Sequence, residues 1–219
     1  SLECARELCE ELGIRFETVS YPELGFKEMD EVVDKIVQLE ERKAPCSYCG
    51  VFRRQGINHL ADRVNADVIA LGHNLDDMAQ TIMMNMQNGD LERTLRLAPH
   101  TSTPLEGMVP RIVPLRWIPE QEIHLLAMHK QLPLHHEECP YAQGALRWRY
   151  RDIVAQLEQD VPGTRHRLVR MSDNIKQVAR QGTPSIQSHP TKCERCGSPT
   201  SGATCKACDM RDLLDVDLD

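Results

Sequence analysis

The sequence predicts an α/β protein: a doubly wound parallel sheet, a helical C-terminal part and a small metal-held ribbon at the end of the chain. Three observations carry this. Helical and extended patterns alternate through the first half, which is how parallel strands are laid between covering helices. DVIALG, at 67–72, is a short continuous apolar run ending in glycine, as expected of a strand buried on both faces of a parallel sheet. Near the C-terminus, CERCG and CKACD place two CxxC pairs across a short polar loop that could not fold without a metal to organise it.

The elements follow in order. Residues 1–12 read as a helix with Leu2, Ala5, Leu8 and Leu12 at core spacing, and Cys4 and Cys9 are plain packing residues within it. IRFETVSY (14–21) alternates like a strand. MDEVVDKIVQLEERK (29–43) is amphipathic, with Met29, Val32, Val33, Ile36 and Val37 inward. A helix follows over about 51–64, with Cys46 and Cys49 at its entrance, where the helix dipole favours a thiolate. After the 67–72 strand, HNLDDMAQTIMMNMQNG runs from a turn into a helix that carries Ile82, Met83 and Met86 as core filling. Pro119 and the acids behind it mark a helix start within 112–131, and two further helices near 145–159 and 163–179 close the main domain. The division is then a main domain over 1–180, a linker over 181–191 and a ribbon with its tail over 192–219. The chain starts at Ser1 inside a helical pattern, which reads as a fragment or processed form.

With 219 residues and 41% hydrophobic content, the chain can bury one good core and carry a small appendage. No stretch reaches the length of a membrane span, no signal peptide is visible, and paired CxxC motifs suit a reducing cytoplasm. A net charge of −7 argues against indiscriminate nucleic-acid binding but leaves room for a local basic face. Arginines do cluster: Arg53 with Arg54, Arg93 with Arg96, Arg147, Arg149 and Arg151 around Trp148 and Tyr150, and Arg165, Arg167 and Arg170. The RWRYR run is a solvated helix face on one reading and an RNA contact on another.

The cysteines separate into sets. Cys193, Cys196, Cys205 and Cys208 have the spacing of a tetrahedral thiolate cage for Zn2+. Cys46 and Cys49 in PCSYCGVFRR, with Cys139 alone in HHEECPYA, fit a three-thiolate site with one open position. In a doubly wound sheet ligands bind at the carboxyl ends of strands, which puts Gly72, His73, Asn74 and Asp77 where a nucleotide is expected. Each has a plainer reading beside it: Asp76 and Asp77 could cap the helix, and His73 could be a turn residue.

Taken together, PCSYCGVFRR, ALGHNLDD, RIVPLRWIPEQEI, ECPYA and the terminal CERCG with CKACD resemble the TtuA and NcsA group of tRNA 2-thiolation enzymes, within the PP-loop ATP pyrophosphatases. The resemblance covers essentially the whole chain and implies the PP-loop ATPase, HUP-like version of the sheet. It implies that Cys46, Cys49 and Cys139 hold a [4Fe-4S] cluster whose fourth iron is open to sulfide or a sulfur donor. It further implies ATP with Mg2+ as co-substrate, adenylation of a tRNA uridine at its C2 oxygen, and replacement of that oxygen by sulfur. Asp77 is then the polar catalytic residue, Arg53 lies where family members contact ATP or tRNA, and Gly72, His73 and Asn74 belong to the ATP site. The Arg147–Arg151 cluster becomes a candidate for the tRNA backbone. A ubiquitin-like sulfur carrier protein is the implied donor partner, with sulfide as the other, and the assembly implied is a homodimer. The related cytidine-thiolating TtcA group carries a second CxxC where this chain has Cys139 alone, so ECPYA favours the uridine enzymes. The family's N-terminal zinc motif and SGGKDS-type phosphate loop are not among these residues, from which weak ATP binding and no thiolation by this polypeptide alone are expected. Two other readings are weighed against this one: a zinc-ribbon RNA-binding protein without catalysis, and a thiol oxidoreductase using Cys46 and Cys49.

Overall fold

A computed structural model describes residues 1–39, 43–99, 109–141, 146–182, 191–200 and 202–215. Among these the protein is mainly helical. Helix α1 (Leu2–Glu11) buries none of its residues; Leu2 and Leu12 are 52% and 61% exposed, and Cys4 and Cys9 are half-buried, so the expected core role of this helix is not seen. The 14–21 segment forms no strand and joins no ladder among the described residues. It is held to the side of a helix instead. Arg63 bonds Glu17 at 2.5 Å and the Thr18 carbonyl at 3.0 Å, and Val19 packs beside Gly56, where a Cβ would sit 3.4 Å from the valine methyl.

Helix α2 (Met29–Gln38) buries Val32 and Ile36 but leaves Val37 73% exposed, so its inward stripe is narrower than the alternation of valines suggests. Helix α3 (Pro45–Arg63) begins six residues before the expected start. Pro45 occupies the first helical position, where its missing N–H costs nothing, and this places Cys46 and Cys49 inside the helix, not ahead of it.

The parallel sheet is represented among the described residues by one pair of strands, β1 (Ile69–Ala70) and β2 (Arg111–Ile112), in register Ile69 to Arg111 and Ala70 to Ile112. The strand is not buried on both faces, as its apolar run had suggested. Side chains alternate, so Leu71 and Val113 face the helices while Ala70 and Ile112 point away and are exposed. The helices concerned are α4 (Leu75–Gln87) and α8 (Thr164–Gly182), which form a second core with Leu75, Met78, Ile82 and Val169 buried. Met86, expected inside, is 52% exposed at the far end of α4.

Helices α5 (Leu91–Leu95), α6 (Glu120–His129) and α7 (Leu146–Asp160) complete this half. Pro119 is the residue before α6, not within its first turn, and the α6 N-terminus is tied to α4 by the Glu120 N–H on Asp76 Oδ2 at 2.8 Å. Arg165 reaches Asp76 at 2.7 Å from α8, so one carboxylate joins three helices.

The C-terminal segment is a two-stranded antiparallel ribbon, β3 (Thr191–Lys192) with β4 (Pro199–Thr200), followed by α9 (Lys206–Leu214). It does not hang from the domain. Cys193, Cys205, Cys208, Met210 and Leu214 share one hydrophobic core with Val32 and Ile36 of α2 and Tyr48, Val51 and Phe52 of α3. Of the expected linker, 183–190 lies outside the described residues, as does the tail at 216–219.

Candidate metal centre

The ribbon thiols are the more compact group. The sulfurs of Cys193, Cys196, Cys205 and Cys208 all lie within 4.8 Å of one another, with all but Cys196 buried. Cys196 and Cys205 sulfurs are 3.5 Å apart, Cys193 and Cys208 3.9 Å, and the Cys205 backbone N–H points at the Cys193 sulfur at 3.2 Å. Backbone N–H groups aimed at the Cys193 sulfur, first that of Cys196, hold its thiol down at about 6. Four thiols this close repel one another once ionised unless a cation lies between them, and the donor set and packing fit a tetrahedral Zn2+. Gln55 of α3 ties the cage to the domain: its amide lies 4.0 Å from the Cys205 sulfur and accepts from Ser198 Oγ at 3.3 Å.

The second group sits on the same helix. Cys46 and Cys49, three apart on α3, face the same side. The Cys46 sulfur lies 3.7 Å from the Tyr141 carbonyl, which brings the loop bearing Cys139 against it. Burial pushes the Cys46 thiol up, and the charges of Cys139 and Cys49 push it further. Cys46, Cys49 and Cys139 are not drawn together tightly enough to share one ion, since the ribbon is the group among the described residues that meets that condition. Cys46 and Cys139 are exposed, which leaves the mouth of the site open.

Cys49 has a more elaborate setting. Arg53 Nη2 lies 3.2 Å from its sulfur and the Tyr21 hydroxyl 3.4 Å. Burial works to raise the Cys49 thiol, but the hydrogen bonds from Tyr21 and Arg53, with the guanidinium charge, reverse this and leave it lowered. Burial, then the partnership with Cys49, push the Tyr21 hydroxyl up to about 12. Arg53, expected at ATP or tRNA, is thus turned toward a cysteine. Tyr21 carries no motif, and nothing in the alternation of 14–21 distinguishes it.

Gly72 and His73 are exposed in the turn after β1, and a Cβ on Gly72 would meet nothing within 4 Å, so the turn is open to a ligand. Asn74 and Asp77 are committed to a capping box. Asn74 Oδ1 accepts from the Asp77 N–H at 2.9 Å, and Asp77 Oδ2 from the Asn74 N–H at 3.2 Å. The other Asp77 oxygen takes Arg147 at 2.9 Å. Arg147 also reaches Thr81 at 3.2 Å, and Arg151 lies over the Trp148 ring at 5.2 Å, so the RWRYR arginines are partly engaged within the protein. A different arginine group is less compensated. Burial lowers the Arg54 guanidinium pKa, and the charges of Arg111, Arg93 and Arg53 lower it further. Arg111 bonds Asn58 at 2.5 Å, one turn from Arg54, and its buried Nε has no partner.

Comparison with known proteins places the chain among named relatives. No family model matches the chain. The tRNA 2-thiolation protein NcsA of Haloferax volcanii is 36% identical over 223 residues, covering 99% of this chain and 68% of the relative. A probable sulfurtransferase of Methanocaldococcus jannaschii is 33% identical, over 93% of this chain and 58% of the relative. The cytoplasmic tRNA 2-thiolation protein 1 of Caenorhabditis briggsae is 36% identical, over 90% of this chain and 51% of the relative. Among solved structures, the U34-tRNA thiolase NcsA from Methanococcus maripaludis with its [4Fe-4S] cluster superposes with a TM-score of 0.76 at 32% identity, over 99% of this chain and 67% of that one. The chain therefore spans about half to two thirds of the length of the proteins it matches. On sequence and fold together, the chain belongs to the family of tRNA 2-thiolation proteins.

Proposed function

We propose that this chain is the sulfur-transferring part of a tRNA-uridine 2-sulfurtransferase, with Cys46, Cys49 and Cys139 as the ligands of a [4Fe-4S] cluster. The observation that carries the reading is the meeting of the α3 CxxC pair with the loop that bears Cys139, marked by Cys46 against the Tyr141 carbonyl. A cluster held by three thiolates keeps one iron free of protein ligands, and that iron can accept sulfur from outside. The chain's own part is to hold three sulfurs at an exposed mouth, with Cys49 fixed by Tyr21 and Arg53 and the other two open to solvent.

The turn at Gly72, His73 and Asn74 is the proposed contact for ATP with Mg2+, because its backbone lies open beyond the end of a parallel strand. Asp77 is the proposed polar group at the base, and its capping role and its chemistry would use the same carboxylate. Arg54, Arg93 and Arg111 are the proposed contacts for tRNA phosphates, since a phosphate would supply the negative charge that their mutual repulsion calls for. The ribbon thiols are proposed to hold structural Zn2+. Sulfur supply by a ubiquitin-like carrier, assembly as a homodimer and a cytoplasmic setting belong to the same reading and rest on the resemblance. No helix of the described residues is long and apolar enough to cross a membrane.

The test is anaerobic reconstitution with iron and sulfide. The expected result is cluster absorbance in the parent chain and its loss in each of Cys46→Ala, Cys49→Ala and Cys139→Ala, with the ribbon metal retained. A cluster that survives Cys139→Ala would overturn the three-ligand assignment. The competing reading, a ribbon that binds RNA beside an inert domain, predicts no cluster at all.

A further inference from the structure

Cys46 and Cys49 share a helix face but not an environment. The Cys46 sulfur faces a carbonyl oxygen, that of Tyr141, which can accept a hydrogen bond but not give one. The Cys49 sulfur faces two side chains able to donate, Arg53 Nη2 at 3.2 Å and the Tyr21 hydroxyl at 3.4 Å, the hydroxyl lying also 3.5 Å from the Cys49 carbonyl. Neither donor is there by chance of a floppy side chain. Arg53 is one helical turn beyond Cys49 on α3, so its reach is set by the helix. Tyr21 comes from a separate segment, and its ring is wedged edge-on to Phe52 with centroids 5.7 Å apart. Phe52 is fully buried and stacks on Phe26 at 4.3 Å, so the hydroxyl is aimed at Cys49 by an aromatic cluster.

We propose that Tyr21 and Arg53 are positioning residues for Cys49: two side-chain donors on one sulfur that withdraw electron density from it and so raise the reduction potential of an iron–sulfur cluster bound through it. This rests on the assignment of Cys46, Cys49 and Cys139 as cluster ligands. The physical basis is general. The reduced cluster carries one more negative charge, a hydrogen bond to a ligand sulfur stabilises that charge, and partners beyond the metal's own ligands tune potential in this way. The three ligands are then unequal, with Cys49 the anchored thiolate and Cys46 and Cys139 the exposed ones.

The experiment is a potentiometric titration of the full chain, reconstituted anaerobically with iron and sulfide, in the absence of ATP and tRNA. Tyr21→Phe keeps the ring in its aromatic cluster and deletes only the hydroxyl. Arg53→Gln removes the guanidinium. The expected result is wild-type iron and sulfide content in both, a midpoint displaced to more negative potential in each, and a larger displacement in the double variant. If Arg53 served nucleotide or RNA alone, Arg53→Gln would leave the midpoint unmoved under these conditions. Unchanged midpoints in both single variants overturn the proposal.

A cluster-free arm separates this outcome from failure of the assignment itself. In the metal-free chain at neutral pH, iodoacetamide labelling followed by peptide mass spectrometry should find Cys49 slowed in both variants, with Cys46 unaffected in Tyr21→Phe and changed less than Cys49 in Arg53→Gln. The slowing is about threefold for each tenfold loss of thiol ionisation, because the sulfur left behind is also the more nucleophilic. No cluster in the parent chain with Cys49 still slowed would sink the ligand assignment and keep the two donors. Equal labelling of Cys49 in the parent and both variants would sink the donors.

Discussion

Replacing Asp76 by alanine removes one carboxylate from a point where three helices meet. Its Oδ2 accepts the Glu120 N–H at the start of α6, and its Oδ1 takes Arg165 of α8 at 2.7 Å. The side chains of Asp76 and Arg165 are only 18% and 19% exposed, so water does little to screen or replace the pair. The hydrogen bond to a charged acceptor is worth about 1.5–3 kcal/mol. Breaking a buried ion pair costs about 3–5 kcal/mol, and less here because Arg165 keeps Glu158 at 3.5 Å as a second partner. Together these give a loss of about 3 kcal/mol. Asp77→Ala is the control: it loses half of a capping box, about 1 kcal/mol, and an ion pair with Arg147 that is 44% and 31% exposed, at most about 1 kcal/mol more. Two adjacent aspartates should therefore differ about twofold in what their removal costs. Urea denaturation followed by far-ultraviolet circular dichroism measures both, and for a chain of 219 residues the Asp76 change corresponds to roughly 6–12 °C in Tm. A loss below about 1 kcal/mol for Asp76→Ala, or one equal to that of Asp77→Ala, would refute the reasoning.

Phe52→Ala should cost about 3–5 kcal/mol, since the ring is fully buried and contacts Tyr21, Phe26 and Tyr48; the same denaturation assay reads it. Chelation of the ribbon metal should raise amide exchange in α3 as well as in the ribbon, because Tyr48, Val51 and Phe52 share a core with Cys193, Cys205 and Cys208; exchange confined to the ribbon would contradict that shared core. Glu158 is raised by burial but lowered further by the N–H groups of Arg165 and Gly163, for a net lowered carboxyl. A lowered folded value stabilises the protein above the ordinary value of 4.5 and is lost as pH falls through the folded one, so Glu158→Gln should flatten the acid limb of stability against pH below about 5. Arg54→Ala should weaken tRNA binding uniformly across sequences and reduce its salt slope by about one, measured by filter binding over a range of potassium chloride.

Local patterns carried the helices and the ribbon. Residues 29–38, 75–87, 120–129 and the last two long helices show their periodicity or their caps in the sequence, and a CxxC pair repeated across a short loop announces a cage by ligand count alone. What failed did so for lack of partners. The 14–21 alternation has the period of a strand, yet pairing needs a neighbour, and α3 supplies a side-chain surface instead. The apolar pattern starts α3 at about residue 51, whereas Pro45 at the first position and the burial of Tyr48 carry the helix back over the CxxC pair. Val37 and Met86 fit an apolar stripe but are exposed among the described residues.

The sequence by itself determined which chemistry is available: seven thiols in two sets of fixed spacing, a glycine turn after a strand, and a capping Asn74 and Asp77 pair. All but the distant Cys139 are encoded within short stretches, where covalent geometry leaves little freedom. Tertiary structure alone decided what those groups meet. It set the ribbon into the core of α2 and α3, set Cys49 against Tyr21 and Arg53 and Cys46 against a carbonyl, turned Arg53 toward a sulfur, and divided Asp76 from Asp77 by the company each keeps. The physical reason is that hydrogen bonds and burial act over a few ångströms in space, and the residues they join here, such as Tyr21 with Cys49 or Asp76 with Arg165, are far apart along the chain.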